Sequence, residues 1–385
     1  MDQSLSITLV TETYPPEING VAMTLQRLAE GLCARGHRVQ LVRPRRAGES
    51  STVSEQGCPT VVQQRGMRIP LYPDLRLGFP ARRRLLKLWR QQRPDVLYIA
   101  TEGPLGWSAL RAAEVLDIPV ISGFHTRFDQ YAGQYGLGLL TSVVERYLRN
   151  FHRRSRCTLA PTEALCHDLS TRGYGPTAVL PRGVDTQRFS PQRRSPGLRQ
   201  HWGVSERDLA LICVGRVAPE KGINQVLEAW RAIAADRPGT RLILVGDGPL
   251  ARGLESAEPR PLLAGSRTGV DLAEHYASAD LFLFPSRSET FGNVTLEAMA
   301  SSLPVVAYDY AAAKLHIDHG TSGILVPFDA PGDFVTAARR AAGDLLRLGS
   351  MGRQARRHVE TLDWSGVLNR FETLLRRHVV VAEGC

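Results

Sequence analysis

The chain has 385 residues, 43% hydrophobic and 22% charged, with a formal net charge of +10. That length exceeds one ordinary core and suits two, and the composition excludes a disordered or fibrous protein. The positive balance implies an anionic partner, which could be nucleic acid, a membrane surface or a phosphorylated small molecule.

No apolar run approaches the ~18 residues of a membrane-spanning helix, and the N-terminus lacks the basic-then-apolar layout of a signal peptide. A cytoplasmic protein is therefore expected. Six cysteines, at 33, 58, 157, 166, 213 and 385, form no CxxC pair and have no histidine at ligand spacing. Neither a zinc site nor a disulfide framework is indicated, and reduced thiols are expected.

In the first half, the runs SITLVTE, RVQLV, DVLYIA, PVISGF and CTLAPT predict buried strands. Between the first two, residues 22–35 follow Val21 with Leu25, Leu28 and Leu32 on one helical face, stopped by Gly36 as C-cap. The loop leading into that helix, residues 11–21, places Gly20 where backbone amides can approach a phosphate. It lacks GxGxxG, which argues against a nicotinamide enzyme.

Residues 80–90 group Arg82, Arg83, Arg84, Lys87 and Arg90 with Leu85, Leu86, Leu88 and Trp89. This pattern predicts a basic amphipathic helix whose cations dock on an anionic membrane while the apolar set dips into the headgroup boundary. A solvated helix face is the plainer alternative. The same choice holds for Arg146, Arg149, Arg153, Arg154 and Arg156 further along.

The strand–helix rhythm pauses at LPRGVDTQRFSPQRRSPG, the best linker candidate, and restarts with DLALICVG, RLILVGDG, RPLLAG, DLFLFPS, PVVAYD and GILVPF. Near-continuous apolar strands alternating with helices mean parallel sheets covered on both faces. The expected fold is α/β, with two Rossmann-like doubly wound domains at 1–185 and 186–362 and a ligand cleft between them. A helix at about 363–380 is expected to pack back on the first domain.

Two stretches of the second half carry chemistry. ValGlyArgValAlaProGluLysGly, residues 214–222, sets Arg216 and Lys221 between a strand and the next helix, a fork and a point charge suited to a diphosphate. SerArgSerGluThrPheGlyAsnValThrLeuGluAlaMetAla, residues 286–300, puts Glu289 in a loop and Glu297 inside the following helix. Glu289 can receive a sugar hydroxyl and Glu297 both ribose hydroxyls, while the amides of the intervening Phe291, Gly292, Asn293, Val294 and Thr295 face phosphate. No DxD motif is evident, so no metal is expected; GDG at 246–248 is not one.

Several of these pieces, in this order, resemble the family 4 glycosyltransferases over nearly the whole chain. They are the AsnGlyVal loop, GlyPheHisThr at 123–126, ProArgGlyValAspThrGlnArgPhe at 181–189, the GlyArg-x5-LysGly segment and the Glu-x7-Glu pair. Within the family, bacterial lipid α-mannosyltransferases and sulfoquinovosyl-diacylglycerol synthases look most similar. The resemblance implies the two-domain GT-B fold and retaining hexosyl transfer, with no cofactor beyond the donor, GDP-mannose or a UDP-hexose. It implies Gly20, Arg216 and Lys221 on the diphosphate, His125 and Glu289 at the sugar, Phe291 to Thr295 around sugar and phosphate, and Glu297 on the ribose. The segment 250–270 is shorter than the family's usual, which leaves the base pocket near Gly265–Thr268 open.

The acceptor expected on this reading is a lipid or glycolipid hydroxyl at the inner face of the plasma membrane. The alternatives are a soluble or polysaccharide acceptor, or an epimerase or phosphorylase on a similar frame. A nucleic-acid partner is not expected, because basic and aromatic residues interleave only in the two short clusters.

Overall fold

A computed structural model describes residues 3–17, 19–46, 49, 57–69, 72–125 and 138–379. The chain divides into two units, Met1–Arg182 with Ser365–Cys385, and Gly183–Trp364.

Unit 1 contains β1 (Ser6–Val10), β2 (Arg38–Pro44), β3 (Thr60–Gln64), β4 (Gly66–Ile69), β5 (Tyr72–Gly78), β6 (Val96–Ile99), β7 (Val120–Gly123), β8 (Cys157–Ala160) and β9 (Thr177–Val179). Seven strands form one sheet in the order β3–β2–β1–β6–β7–β8–β9, every pairing parallel. Every residue of β6 and β8 is buried, as a parallel sheet covered on both faces requires. The covering helices are α1 (Gly20–Ala34), α2 (Arg82–Gln91), α3 (Pro104–Leu116), α4 (Gly138–His152) and α5 (Glu163–Thr171).

Unit 2 contains β10 (Ala210–Val214), β11 (Arg241–Val245), β12 (Leu262–Gly265), β13 (Leu281–Phe284), β14 (Val305–Tyr308) and β15 (Gly323–Val326). They form a parallel sheet in the order β12–β11–β10–β13–β14–β15. Its helices are α6 (Pro196–His201), α7 (Ile223–Asp236), α8 (Ala251–Leu254), α9 (Gly269–Ser278), α10 (Asn293–Ala300), α11 (Ala311–His316), α12 (Pro331–Ala342) and α13 (Leu345–Val359). The short 250–270 segment thus holds α8 and β12, with Thr268 at the N-cap position of α9 and no side-chain bond to its first amides.

The last helix, α14 (Trp364–His378), buries Val367, Phe371, Leu374 and Leu375, and Phe371 meets Tyr98 of β6 edge-on with ring centroids 4.9 Å apart. Each such fully buried side chain contributes roughly 1.5–3 kcal/mol. Arg35, at the end of α1, adds an ion pair to Glu372 at 2.9 Å.

Both sheets are doubly wound about their first strand: connections run one way from β1 and β10, then return to the other side. The gap between β1 and β6, and between β10 and β13, is therefore the switch point of each unit. Loops leaving the carboxyl ends of those strands diverge there and leave room for a ligand.

Two expectations need correcting, and a third feature was not foreseen. The first concerns α2: Leu85 and Trp89 are 0% and 1% exposed, and Leu86 and Leu88 pack partly buried on the same core. The apolar stripe covers the sheet and α3 and has nothing to insert into a bilayer, whereas Arg82, Arg83, Arg84, Lys87 and Arg90 all point to solvent. The second is redox state, because Cys33 and Cys58 form a disulfide with Cα atoms 5.7 Å apart. Parallel pairing of β3 on β2 returns residue 58 to the end of α1, a proximity that sequence spacing does not reveal. The third is the antiparallel hairpin β4–β5, absent from the sequence reading because RGMRIP and YPDLRLG lack sustained alternation.

Candidate active site

At the switch point of unit 2, the loop after β10 holds residues 215–222 and the loop after β13 holds residues 285–292. Lys221 donates from Nζ to Glu289 Oε1 at 2.5 Å and to the Ser288 carbonyl at 3.1 Å. Glu289 is held further by Ser286 Oγ, which donates to Oε1 at 2.8 Å, and by Tyr310 Oη, which donates to its carbonyl at 2.6 Å. Arg216 lies 3.4 Å from Glu220, a buried carboxylate that orients the guanidinium.

Gly222 lets the loops approach. It has φ +69°, and a Cβ there would lie 2.3 Å from the Pro285 carbonyl oxygen. Any other residue would push the two loops apart and separate Lys221 from Glu289.

Helix α10 begins at Asn293, behind Gly292 at φ +94°, with no side-chain cap on its first amides. Uncapped amides at a helix N-terminus bind phosphate oxygens. Phe291 and Thr295 are buried while Gly292, Asn293 and Val294 are partly exposed, so the turn presents main chain to solvent. Glu297 is half-buried and accepts from Tyr276 Oη at 3.0 Å. Desolvation pushes its carboxyl up to about 7, opposed by that hydrogen bond and by the charge of Arg188.

Unit 1 has its own cluster of polar groups at strand ends. Asn19 caps α1, accepting from Ala22 N at 2.9 Å and donating to Thr13 Oγ1 at 2.7 Å, so Gly20 is the first helical residue. His125 follows β7 and is 8% exposed. Arg182 donates to its Nδ1 at 2.8 Å, and Tyr98 Oη lies 2.8 Å from its Nε2. A guanidinium can only donate, so Nδ1 carries no proton; a neutral ring then has its proton on Nε2, directed at the tyrosine oxygen. Burial and the Arg182 charge hold His125 well below the usual imidazole range, so the ring is neutral at physiological pH. Gly123 makes the contact possible, because a Cβ there would sit 2.3 Å from Tyr98 Oη. Thr126, the last residue of the GlyPheHisThr motif, lies outside the described residues.

Sequence reasoning missed Tyr98, Arg182 and a second carboxylate, Glu12. Glu12 ends the run SITLVTE, is 8% exposed and accepts from Leu105 N at 2.9 Å at the start of α3. Burial pushes its carboxyl up to about 7, with the neighbouring Glu102 adding to the shift. Glu102 in turn meets His152 Nε2 at 3.1 Å, and His152 Nδ1 meets Ser122 Oγ at 2.9 Å. Arg182 was legible as part of ProArgGlyValAsp, but nothing in its sequence neighbourhood points to His125, 57 positions earlier.

Among the described residues, no group of three or more His, Cys, Asp or Glu is placed to hold a metal ion. Nor is any described helix long and apolar enough to cross a membrane.

Two family profiles match the chain: Glycosyltransferase Family 4 over residues 18–188, and Glycosyl transferases group 1 over residues 208–344. A GDP-mannose-dependent alpha-mannosyltransferase of Mycobacterium tuberculosis is 33% identical over 322 residues, 83% of each chain. An alpha-monoglucosyldiacylglycerol synthase of Streptococcus pneumoniae is 27% identical over 322 residues, covering 79% of this chain and 71% of that protein. Among solved structures, sucrose-phosphate synthase from Thermosynechococcus elongatus matches with a TM-score of 0.78 at 19% identity, over 96% of this chain and 98% of that one. At that identity the likeness bears on the GT-B fold alone.

Proposed function

The chain belongs to glycosyltransferase family 4, and from that premise we propose that it moves a hexose, mannose or glucose in type, from a nucleoside diphosphate sugar to a hydroxyl acceptor with retention at the anomeric carbon. One observation carries the reading: Lys221 and Glu289, 68 positions apart, meet at 2.5 Å at the unit 2 switch point. On this reading a cation for the diphosphate and a carboxylate for the sugar stand side by side, which supports binding of the donor at this switch point.

In the proposed reaction the bond from the sugar C1 to the diphosphate oxygen breaks and its electron pair stays on the leaving group. The acceptor oxygen bonds to C1 on the same face, and its proton passes to the leaving phosphate. Arg216, Lys221 and the first amides of α10 stabilise the negative charge that grows on the diphosphate, without a metal. Glu289 accepts from a sugar hydroxyl, and Glu297 from the ribose. Gly20, the first residue of α1, is assigned to the donor diphosphate on the family resemblance alone. His125 acts as a neutral group with both ring nitrogens occupied, so its part is positional and not acid–base.

The name of the M. tuberculosis relative favours GDP-mannose over a UDP-hexose as donor, and that of the S. pneumoniae relative favours a lipid acceptor. The outward row Arg82, Arg83, Arg84, Lys87 and Arg90 supports reversible docking on an anionic inner leaflet by charge alone, since the apolar side of α2 is in use. Each cation near such a surface contributes about 1 kcal/mol.

A panel of nucleotide sugars, incubated with and without excess EDTA, tests the core of this reading. GDP-mannose should turn over fastest, at the same rate in chelator. Turnover of no nucleotide sugar would sink the reading, and loss in EDTA reversed by magnesium would sink its metal-free part.

A further inference from the structure

The segment ProArgGlyValAspThrGlnArgPhe, residues 181–189, has so far supplied only Arg182. Its last two residues belong to unit 2 and lie around Tyr276, in the last turn of α9. Phe189 is buried, and its ring stands edge-on to that of Tyr276 with centroids 5.8 Å apart. Phe282 of β13 packs on the same ring, also at 5.8 Å. These aromatic neighbours fix the direction of the phenol, which is 0% exposed and donates from Oη to Glu297 Oε2 at 3.0 Å.

Burial and the charge of Glu297 hold the Tyr276 hydroxyl well above the usual phenol range, so it stays protonated and donates to the ionised carboxylate. Cys213 of β10 also faces Tyr276, and burial pushes its thiol up to about 12, so it brings no charge at neutral pH. Against the burial that raises the Glu297 carboxyl, the Tyr276 hydrogen bond is the largest opposing influence and the charge of Arg188 the next. Arg188 is itself directed, since its backbone N donates to Asp185 Oδ1 at 3.0 Å and its Nε lies 3.7 Å from Asp185 Oδ2.

A carboxylate accepts along about four lone-pair directions. Tyr276 occupies one of them from the core side, and the half-buried Glu297 keeps an accessible side for a ligand. A hydroxyl that donates to a carboxylate favours its charged form, and only the charged form is an acceptor throughout.

We infer that Tyr276 is a positioning residue for Glu297: its hydroxyl holds Oε2 from within the core and presents the carboxylate as an anion to both hydroxyls of a ribose. Nucleotide affinity then depends on a side chain that the nucleotide does not touch. The inference rests on the assignment of Glu297 to the donor ribose and deepens it. Arg188 assists through its charge, and Phe189 by seating the tyrosine ring.

The test is calorimetric binding of GDP-mannose, or of UDP-glucose should that bind tighter, from pH 6 to 8.5 without acceptor. It compares the wild type with Tyr276→Phe, which keeps the packed ring, and Arg188→Gln. Without the phenol O–H the Glu297 carboxyl needs a higher pH to ionise. The midpoint of the affinity–pH curve should therefore move up by about one pH unit in Tyr276→Phe, as loss of a hydrogen bond to a charged group implies. Affinity should fall about fivefold at pH 7 and return to within about twofold of the wild type at pH 8.5. Arg188→Gln should move the midpoint in the same direction by less.

A loss of equal size at every pH would mean that Tyr276 only packs α10 in place, and no loss would mean that Glu297 needs no holding; either overturns the inference. The 2′-deoxy form of the same nucleotide sugar separates it from the reading beneath. Equal wild-type affinity for the two forms would sink the ribose assignment and the inference together. Wild-type preference for the ribose form, with no pH shift in Tyr276→Phe, would sink the inference alone. The preference together with the shift upholds it even if no sugar is turned over.

Discussion

The two switch points use the same strand order and fill it in opposite ways. Unit 2 draws its polar groups from two short stretches, 215–222 and 286–297, each carried by one loop and the first turns of the helix that follows. Unit 1 gathers Glu12, Tyr98, Glu102, His125, His152 and Arg182 singly, from strand ends and helices scattered over 171 positions of chain. Groups in unit 2 such as Arg216, Glu289 and Glu297 keep some solvent exposure, whereas each of those six in unit 1 is nearly buried. A loop that must meet a mobile ligand can be written as a contiguous motif. A buried network that positions one imidazole is written wherever the sheet happens to bring side chains together.

Unit 2 depends most on Lys221. On the proposed reading, Lys221→Ala or Arg216→Ala removes a charge facing the leaving group, and kcat should fall on the order of a hundredfold or more. Because Lys221 holds Glu289, the double variant Lys221→Ala, Glu289→Gln should be scarcely worse than Lys221→Ala alone. Steady-state kinetics on the four proteins of that cycle decide it; fully additive losses would mean the pair does not act as a unit.

Glu297 and Glu12 sharpen the contrast, since burial lifts both carboxyls to about 7 for different ends. A folded-state pKa above the unfolded one means that each favours folding most below its ordinary pKa, 4.5, and loses that contribution as pH rises through about 7. Ribose hydroxyls need an ionised Glu297 as acceptor, so donor affinity should rise through the same interval. Glu297→Gln should raise the donor KM roughly tenfold at pH 8 and flatten its pH dependence. Glu12→Gln should leave that dependence in place and instead make the melting temperature less sensitive to pH between 5 and 8. If the two variants exchanged these phenotypes, the division between ligand-facing and structural carboxylates would be wrong.

The smallest effect is expected at His125. Nitrogen NMR of the imidazole should show a neutral ring protonated at Nε2, with no titration between pH 5.5 and 8. Arg182→Gln, which no longer obliges Nδ1 to accept, should bring a mixture of tautomers and a few-fold loss of turnover. A wild-type ring that titrates near 6.5 would refute the buried arginine contact.

Reading the sequence went furthest where physical cause is local. Apolar runs such as DVLYIA and DLFLFP became fully buried strands, because a strand covered on both faces needs apolar side chains at every position. The helix stop at Gly36 was legible for a similar reason, since φ +82° there suits only glycine without strain. The 80–90 segment was half legible. Its charge and helicity came through, but periodicity cannot say whether an apolar stripe faces a core or a membrane, and here Leu85 and Trp89 complete the core.

Local stretches of sequence are enough to specify two parallel α/β sheets and the short loops of the second that carry cations and carboxylates, because strand burial and strand-to-helix loops are encoded within a few residues of one another. Folding of the whole sheets is what makes Lys221 touch Glu289, brings Cys33 to Cys58 and lets Arg182 set the tautomer of His125 through a contact of 2.8 Å. Those contacts depend on the order in which strands join each sheet, a property of the whole core that no local stretch of residues specifies.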